Sequence, residues 1–171
     1  MATTRTVLVG ALMVAFLQTA SPVWATSAHI IVDGPAVLEQ SPAQIEMSFG
    51  QPVRTKAVPP GDFQLPEGGI WRVYRWPGAQ LDIDFERGRS TTVMIAFPDR
   101  TTAPKSFADA LAAVNLPSGT PPDLITRDSR EWSNLRGYFV RVIAAYPGFE
   151  YIDAIILSVM PFPPVGGTQT Q

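Results

Sequence analysis

Apolar residues fall along this chain in short, separated groups that keep two different periods. In the first group Ser41-Pro42-Ala43-Gln44 precedes Ile45 and Phe49, four apart, and then Gly50. A serine cap, a proline at the first helical position, a glutamine placed to bond back and a left-handed glycine at the exit predict a short helix. Gln51-Pro52 cannot continue it. From Gln80 to Glu86 the period changes to two, with Leu81, Ile83 and Phe85 on one side and Asp82, Asp84 and Glu86 on the other, the mark of a half-buried strand. Ile70 to Trp76 is a second β-rich segment, joined to the first through Pro77-Gly78, which suits the central positions of a type II turn. Thr91 to Phe97 makes a third, with Val93, Ile95 and Phe97 together. A two-residue loop at Arg87-Gly88 would turn Val93 and Ile95 toward the acidic side. The expectation is therefore a three-residue loop, Glu86-Arg87-Gly88, setting Leu81 opposite Val93.

The second half carries a similar order. Ser106 or Thr102 caps a helix bearing Phe107, Leu111 and Val114, with Ala110 beside them and Asp109 at capping-box spacing from Ser106; Asn115 and Pro117 close it. Leu135 to Ala145 and Tyr151 to Met160 read as strands joined through Tyr146-Pro147-Gly148. Ile155-Ile156-Leu157 does not alternate, which predicts a central strand covered on both faces. Residues 53–69 and 117–123 and the tail from Pro161 carry turn residues without periodicity and are read as structureless. Ser41 and Ser106, like Pro52 and Pro117, lie 65 residues apart, whereas the two Pro-Gly turns lie 70 apart. A helix-plus-hairpin pattern thus occurs twice, over 36–97 and 102–160, as a weak repeat. The expected architecture is a single α+β domain over 26–160, two short helices on one face of an antiparallel sheet of about five strands, with 161–171 a disordered tail.

Composition then places this domain. Arg5, the eleven-residue apolar run from Val7 to Leu17 and Ser21-Pro22-Val23-Trp24-Ala25 follow the order of a cleavable signal peptide over 1–25. As a helix the run rises only about 16 Å, half of a bilayer's hydrocarbon core, which argues against an anchor. Export to a periplasmic or secreted location is the expectation. Loss of Arg5 leaves 12 basic side chains against 15 acidic ones, a net charge of −3 that does not suit a nucleic-acid backbone. There is no cysteine, so a lipid-modified N-terminus, thiolate catalysis and sulfur-ligated metal are excluded, and no later run is long enough for a transmembrane segment.

Catalytic chemistry is sparse. The one histidine, His29, stands alone just past the expected cleavage point, and no serine-hydrolase, zinc-protease, phosphate-loop or EF-hand motif occurs. No catalytic residue, metal site or cofactor is expected. Asp82, Asp84 and Glu86 line one side of a strand; they form either a solvated charged face balanced by Arg75, Arg87 and Arg89, or the carboxylates of a small-ligand or hydrolytic site. Trp71, Arg72, Tyr74, Arg75 and Trp76 crowd into six positions, the aromatic and arginine mixture enriched at binding hot spots. Alternation sends Tyr74 and Trp76 to the core side and Trp71 and Arg75 to the acidic face, which makes Trp71, Arg75, Asp82 and Asp84 candidate partner contacts. Trp132, beside Arg130 and Glu131, is a further candidate.

Ser41-Pro42-Ala43-Gln44-Ile45, Phe49-Gly50-Gln51-Pro52, Trp71-Arg72-Val73-Tyr74 and Leu81 to Arg89 together resemble the SmpA/OmlA (BamE-type) outer-membrane assembly proteins and the similarly folded β-lactamase inhibitory protein, over residues 36–97. The resemblance implies helices on one face of a small antiparallel sheet whose other face meets protein partners. It departs from the BamE-type lipoproteins in lacking the N-terminal cysteine. The expected function is a non-catalytic, exported module that binds an unidentified protein. Two alternatives remain: a small-ligand or hydrolytic domain using the Asp82 strand, and an inhibitory module of the PepSY kind.

Overall fold

A computed structural model of the chain describes residues 29–62 and 65–162. The expected signal peptide and all but the first two residues of the expected tail lie outside the described residues. Among the described residues, three short helices, α1 (Gly34–Val37), α2 (Pro42–Phe49) and α3 (Phe107–Ala113), accompany eight strands. These are β1 (Arg54–Val58), β2 (Gly69–Trp76), β3 (Ala79–Glu86), β4 (Arg89–Ala96), β5 (Leu124–Ile125), β6 (Ser129–Leu135), β7 (Tyr138–Ala144) and β8 (Ile152–Ser158). All pair antiparallel in one sheet of order β1-β2-β3-β4-β8-β7-β6-β5.

This corrects the expected α+β fold of two short helices packed on about five strands. The molecule is mostly one eight-stranded sheet, and helix is a minor part of it. Each missed strand lacked the alternation that marks a half-buried one. β1, Arg-Thr-Lys-Ala-Val, lies in the stretch read as structureless; it is an exposed edge strand whose cations suit an edge. β5 is two exposed residues at the other edge. In β6 only Ser129, Trp132 and Leu135 are buried, three apart, because the register shifts between Trp132 and Leu135 and hides the period of two. The single strand expected from Leu135 to Ala145 is instead broken by a tight turn at Arg136-Gly137, where both residues have positive φ (57° and 89°).

The β3–β4 hairpin solves its register differently from the expectation. The loop has two residues, Arg87 and Gly88, both with positive φ, and Glu86 pairs with Arg89. A bulge then skips Thr91, so that Asp84 faces Thr92, Ile83 faces Val93 and Leu81 faces Ile95. Val93 and Ile95 still reach the apolar side. A one-residue bulge does the work assigned to a longer loop.

One face of the sheet holds the core. Leu81, Ile83, Phe85, Val93, Ile95, Val140, Val142, Ile155 and Leu157 form a cluster with Val37, Ile45, Ala110, Leu111 and Val114 from the helical segments. Burying each large aliphatic there contributes about 1.5–3 kcal/mol. α2 carries the expected capping box, with Gln44 N–H donating to the Ser41 hydroxyl and the Gln44 side chain accepting from the Ser41 N–H. Ser106 caps α3 in the same way through the Asp109 N–H, while the Asp109 carboxylate accepts from the Ser106 hydroxyl. The amides of Ile31, Val32 and Gly34 donate to the last carbonyls of α3 and its cap, Ala113 and Val114, satisfying groups that a helix end leaves free.

The two Pro-Gly turns are not equivalent. Pro77-Gly78 joins β2 to β3, with Gly78 at φ 79°, whereas Tyr146-Pro147 is cis and joins β7 to β8.

Ser90 ties the segment between α1 and α2 to the sheet. Its buried hydroxyl donates to the Val37 carbonyl (2.6 Å) and accepts from the Gln40 N–H (3.0 Å), and its backbone exchanges two further bonds with Glu39 and Gln40. Ser90→Ala leaves a backbone donor and an acceptor unpartnered, so a loss of about 1–3 kcal/mol is expected in urea unfolding. An unchanged midpoint would contradict this role.

Candidate functional site

Strand alternation places the opposite face of the sheet away from the core cluster. Register sets Trp71 beside Asp84, Val73 beside Asp82 and Arg75 beside Gln80 on β2 and β3. Asp82 in turn faces Met94, and Met94 faces Ile156 of β8. Four of the five expected partner residues, Trp71, Arg75, Asp82 and Asp84, therefore share this face. Trp71 borders three adjoining depressions in it: one of about 190 Å³ with Lys56, Asp62 and Asp84, one of about 250 Å³ with Arg54, Arg75 and Asp82, and one of about 280 Å³ with Asp82, Asp84, Thr92, Met94 and Ile156.

Trp132 does not join them. It is 4 % exposed, faces Val140 on the core side, and donates its indole N–H to the Thr120 carbonyl at 2.9 Å. The polar neighbours Arg130 and Glu131 concealed a core residue, because alternation sends Glu131 to the opposite face.

The aromatic cluster divides as alternation dictates. Tyr74 is fully buried, and Trp76 lies at the rim, 36 % exposed, with its N–H on the Ile31 carbonyl and its ring edge-on to Phe49 at 5.0 Å. Arg72 points to the core side, where it pairs with Glu46 of α2 and lies 5.8 Å from the Phe85 ring centroid.

Two of the three arginines expected to balance the acidic face are engaged elsewhere, Arg87 with Glu67 and Arg89 with the Glu39 carbonyl, while Arg75 stays exposed on this face opposite Gln80 and lines a depression with Asp82. Asp82 accepts one bond from the Gln80 amide (2.9 Å), and neither Asp82 nor Asp84 makes an ion pair among the described residues. Both are half-buried. Burial raises the Asp82 carboxyl against the opposing effects of Gln80 and Arg54. Burial, and then the charges of Asp62 and Asp82, push Asp84 up to about 6.

Ile156 also departs from expectation. Ile155 and Leu157 are fully buried in a central strand, but Ile156 is only half-buried on the open face. Farther along that face, beyond what sequence reasoning identified, Glu131 and Arg141 form an ion pair at 2.8 Å, and the Phe162 ring lies 4.5 Å from the Arg141 guanidinium carbon. Their charges, paired across β6 and β7 in register, were the available signal.

His29 is exposed, and no group of three or more metal-ligating side chains converges among the described residues. No helix among them is long and apolar enough to cross a membrane.

No protein-family model matches the chain, and no curated protein sequence is significantly similar to it. Among solved structures, a cysteine-rich secretory protein from Staphylococcus aureus subsp. aureus Mu50 aligns at 9 % identity and a TM-score of 0.47, over 77 % of this chain and 48 % of that one. The chain thus spans about half the length of that protein.

Asp84 makes stability depend on pH. Its folded pKa, about 6, lies above the reference 3.8, so the folded state holds the proton more tightly. Its stabilising contribution is full below pH 4 and is lost as the pH rises through about 6. Asp84→Asn should therefore gain stability over the parent at pH 7 relative to pH 4, by about 1 kcal/mol after allowance for solvent screening. Urea unfolding at both pH values checks this; an equal difference at the two would contradict it.

Proposed function

We propose that this chain is an exported, non-catalytic module that binds a protein partner through the open face of its sheet, in the manner implied by its resemblance to the SmpA/OmlA group. The supporting observation is the placement of Trp71 among three depressions on a face away from the core cluster, with two half-buried carboxylates lacking ion pairs beside it. Such a face keeps a desolvation cost in the free protein that a complementary surface removes. A partly buried tryptophan at the centre of polar surroundings is the residue type that dominates association energies.

A second reading has one observation in its favour. Asp84, raised to about 6, is a carboxyl poised to exchange a proton near neutral pH, as a small-ligand or hydrolytic site would use. The binding reading is preferred because Trp71, of the residue type that dominates association energies, borders all three depressions.

Cross-linking of the full chain in its native envelope, followed by recovery, tests the proposal. Trp71→Ala and Arg75→Ala should lower recovery of the same partner by about tenfold or more. Met47→Ala, at an 87 % exposed position on α2, should leave it unchanged. Undiminished recovery of every cross-linked protein from both face variants would overturn the assignment.

A further inference from the structure

We infer that the depression between Trp71, Asp82 and Asp84 receives a lysine or arginine side chain from the partner. This deepens the protein-binding reading and rests on it. The two halves of the open face differ in how they meet their charges. In the β6–β7 half the chain completes a three-part arrangement by itself: the Glu131 carboxylate holds the Arg141 guanidinium, and the Phe162 ring covers that cation. In the β2–β3 half the Asp82 and Asp84 carboxylates and the Trp71 ring are present, but among the described residues no cation is ion-paired with Asp82 or Asp84. An aromatic ring beside paired carboxylates attracts a cation through both its negative face and the full charges.

The chain's own cations do not fill the place. Arg72 is held by Glu46, Arg87 by Glu67, and Arg89 by the Glu39 carbonyl. Arg54, exposed on edge strand β1, lies 5.9 Å from the Trp71 ring centroid and reaches Asp82 only through its field. It stands near the outer limit of a cation–π contact with this indole, and among the described residues both carboxylates remain without an ion pair. Lys56, on β1 opposite Trp71, lines the adjoining depression with Asp62 and Asp84 and makes no ion pair among the described residues.

Shape agrees with charge. Met94 and Ile156 wall the side of the depression away from Trp71, so the occupant must be apolar along its length and cationic at its tip. The methylene stem and charged head of lysine or arginine have that form. Charged groups facing Asp84 are Asp62 from the loop after β1, Asp82 on its own strand and Lys56 on β1; those offered by β4 and β8, Thr92, Met94 and Ile156, are uncharged. Arg54 and Arg75 line the neighbouring depression with Asp82 and Lys56 lines the other, so only the depression walled by Met94 and Ile156 is acidic in its own lining, and protonation of Asp84 below pH 6 should weaken it.

The test uses a five-residue glycine peptide with one central arginine, and the same peptide with uncharged citrulline, titrated onto the isotope-labelled full chain. The expected result is a saturating shift of the Trp71 indole signal with the arginine peptide only, weaker at pH 5 than at pH 7. Asp82→Asn with Asp84→Asn should reduce the arginine affinity at least fivefold, with the rest of the amide spectrum reporting an intact fold. Equal shifts with citrulline, no shift at Trp71, or full affinity in the double variant would overturn the inference. If the inference fails while partner recovery still depends on Trp71, the protein-binding reading survives without it; if recovery is also indifferent to Trp71, both fall.

Discussion

The structure depends on the antiparallel pairing of β4 with β8. Each half of the chain supplies a helix followed by a four-stranded antiparallel meander, α2 through β4 and α3 through β8, and each meander presents its last strand to the other. Val93 faces Leu157 and Ile95 faces Ile155, and all four are fully buried. Pairing the last strands leaves the first ones, β1 and β5, at the two outer edges. Those edges are managed by cations in β1 and by brevity in β5. A sheet formed from either half alone would expose its fourth strand, apolar β4 or β8, as an open edge, the kind of edge that pairs with other chains.

That pairing also decides which residues can meet. Continuity across β4 and β8 brings Ile156 from the second half against the depression formed by Trp71, Asp82, Asp84 and Met94 from the first. The side chains on the core face are satisfied by one another and by the helical segments. On the opposite face the β6–β7 half closes its charge pair with Phe162, and the β2–β3 half keeps two carboxylates partly desolvated without ion pairs. The asymmetry of function proposed for the two halves follows from that difference in charge pairing on a shared sheet.

What the sequence made legible was whatever stands on an apolar period. α2 and α3 carried their caps in order, and β3 alternates without interruption, so the faces of Leu81 and Asp82 could be assigned and Trp71, Arg75, Asp82 and Asp84 grouped together. Elements stabilised by their neighbours' hydrogen bonds were hidden. β1 has no buried side chain, β6 breaks its alternation at a register shift, and the bulge at Thr91 restores an apolar face that the two-residue turn alone would have reversed. Trp132 was misplaced because its polar neighbours lie on the opposite face of the same strand. The distribution of arginines among Glu46, Glu67 and the Glu39 carbonyl required tertiary contacts between residues 20 to 50 apart. No local pattern encodes it.

The central claim is that two meanders are fused into one cooperative sheet through β4 and β8, and native-state hydrogen exchange tests it most directly. The amides of Val93, Ile95, Ile155 and Leu157 should exchange together, with the free energy and denaturant dependence of global unfolding, and the β2–β3 and β6–β7 amides should not open as separate units. Exchange of these four amides at a lower free energy than the strands on either side, with the two halves unfolding independently, would contradict the account.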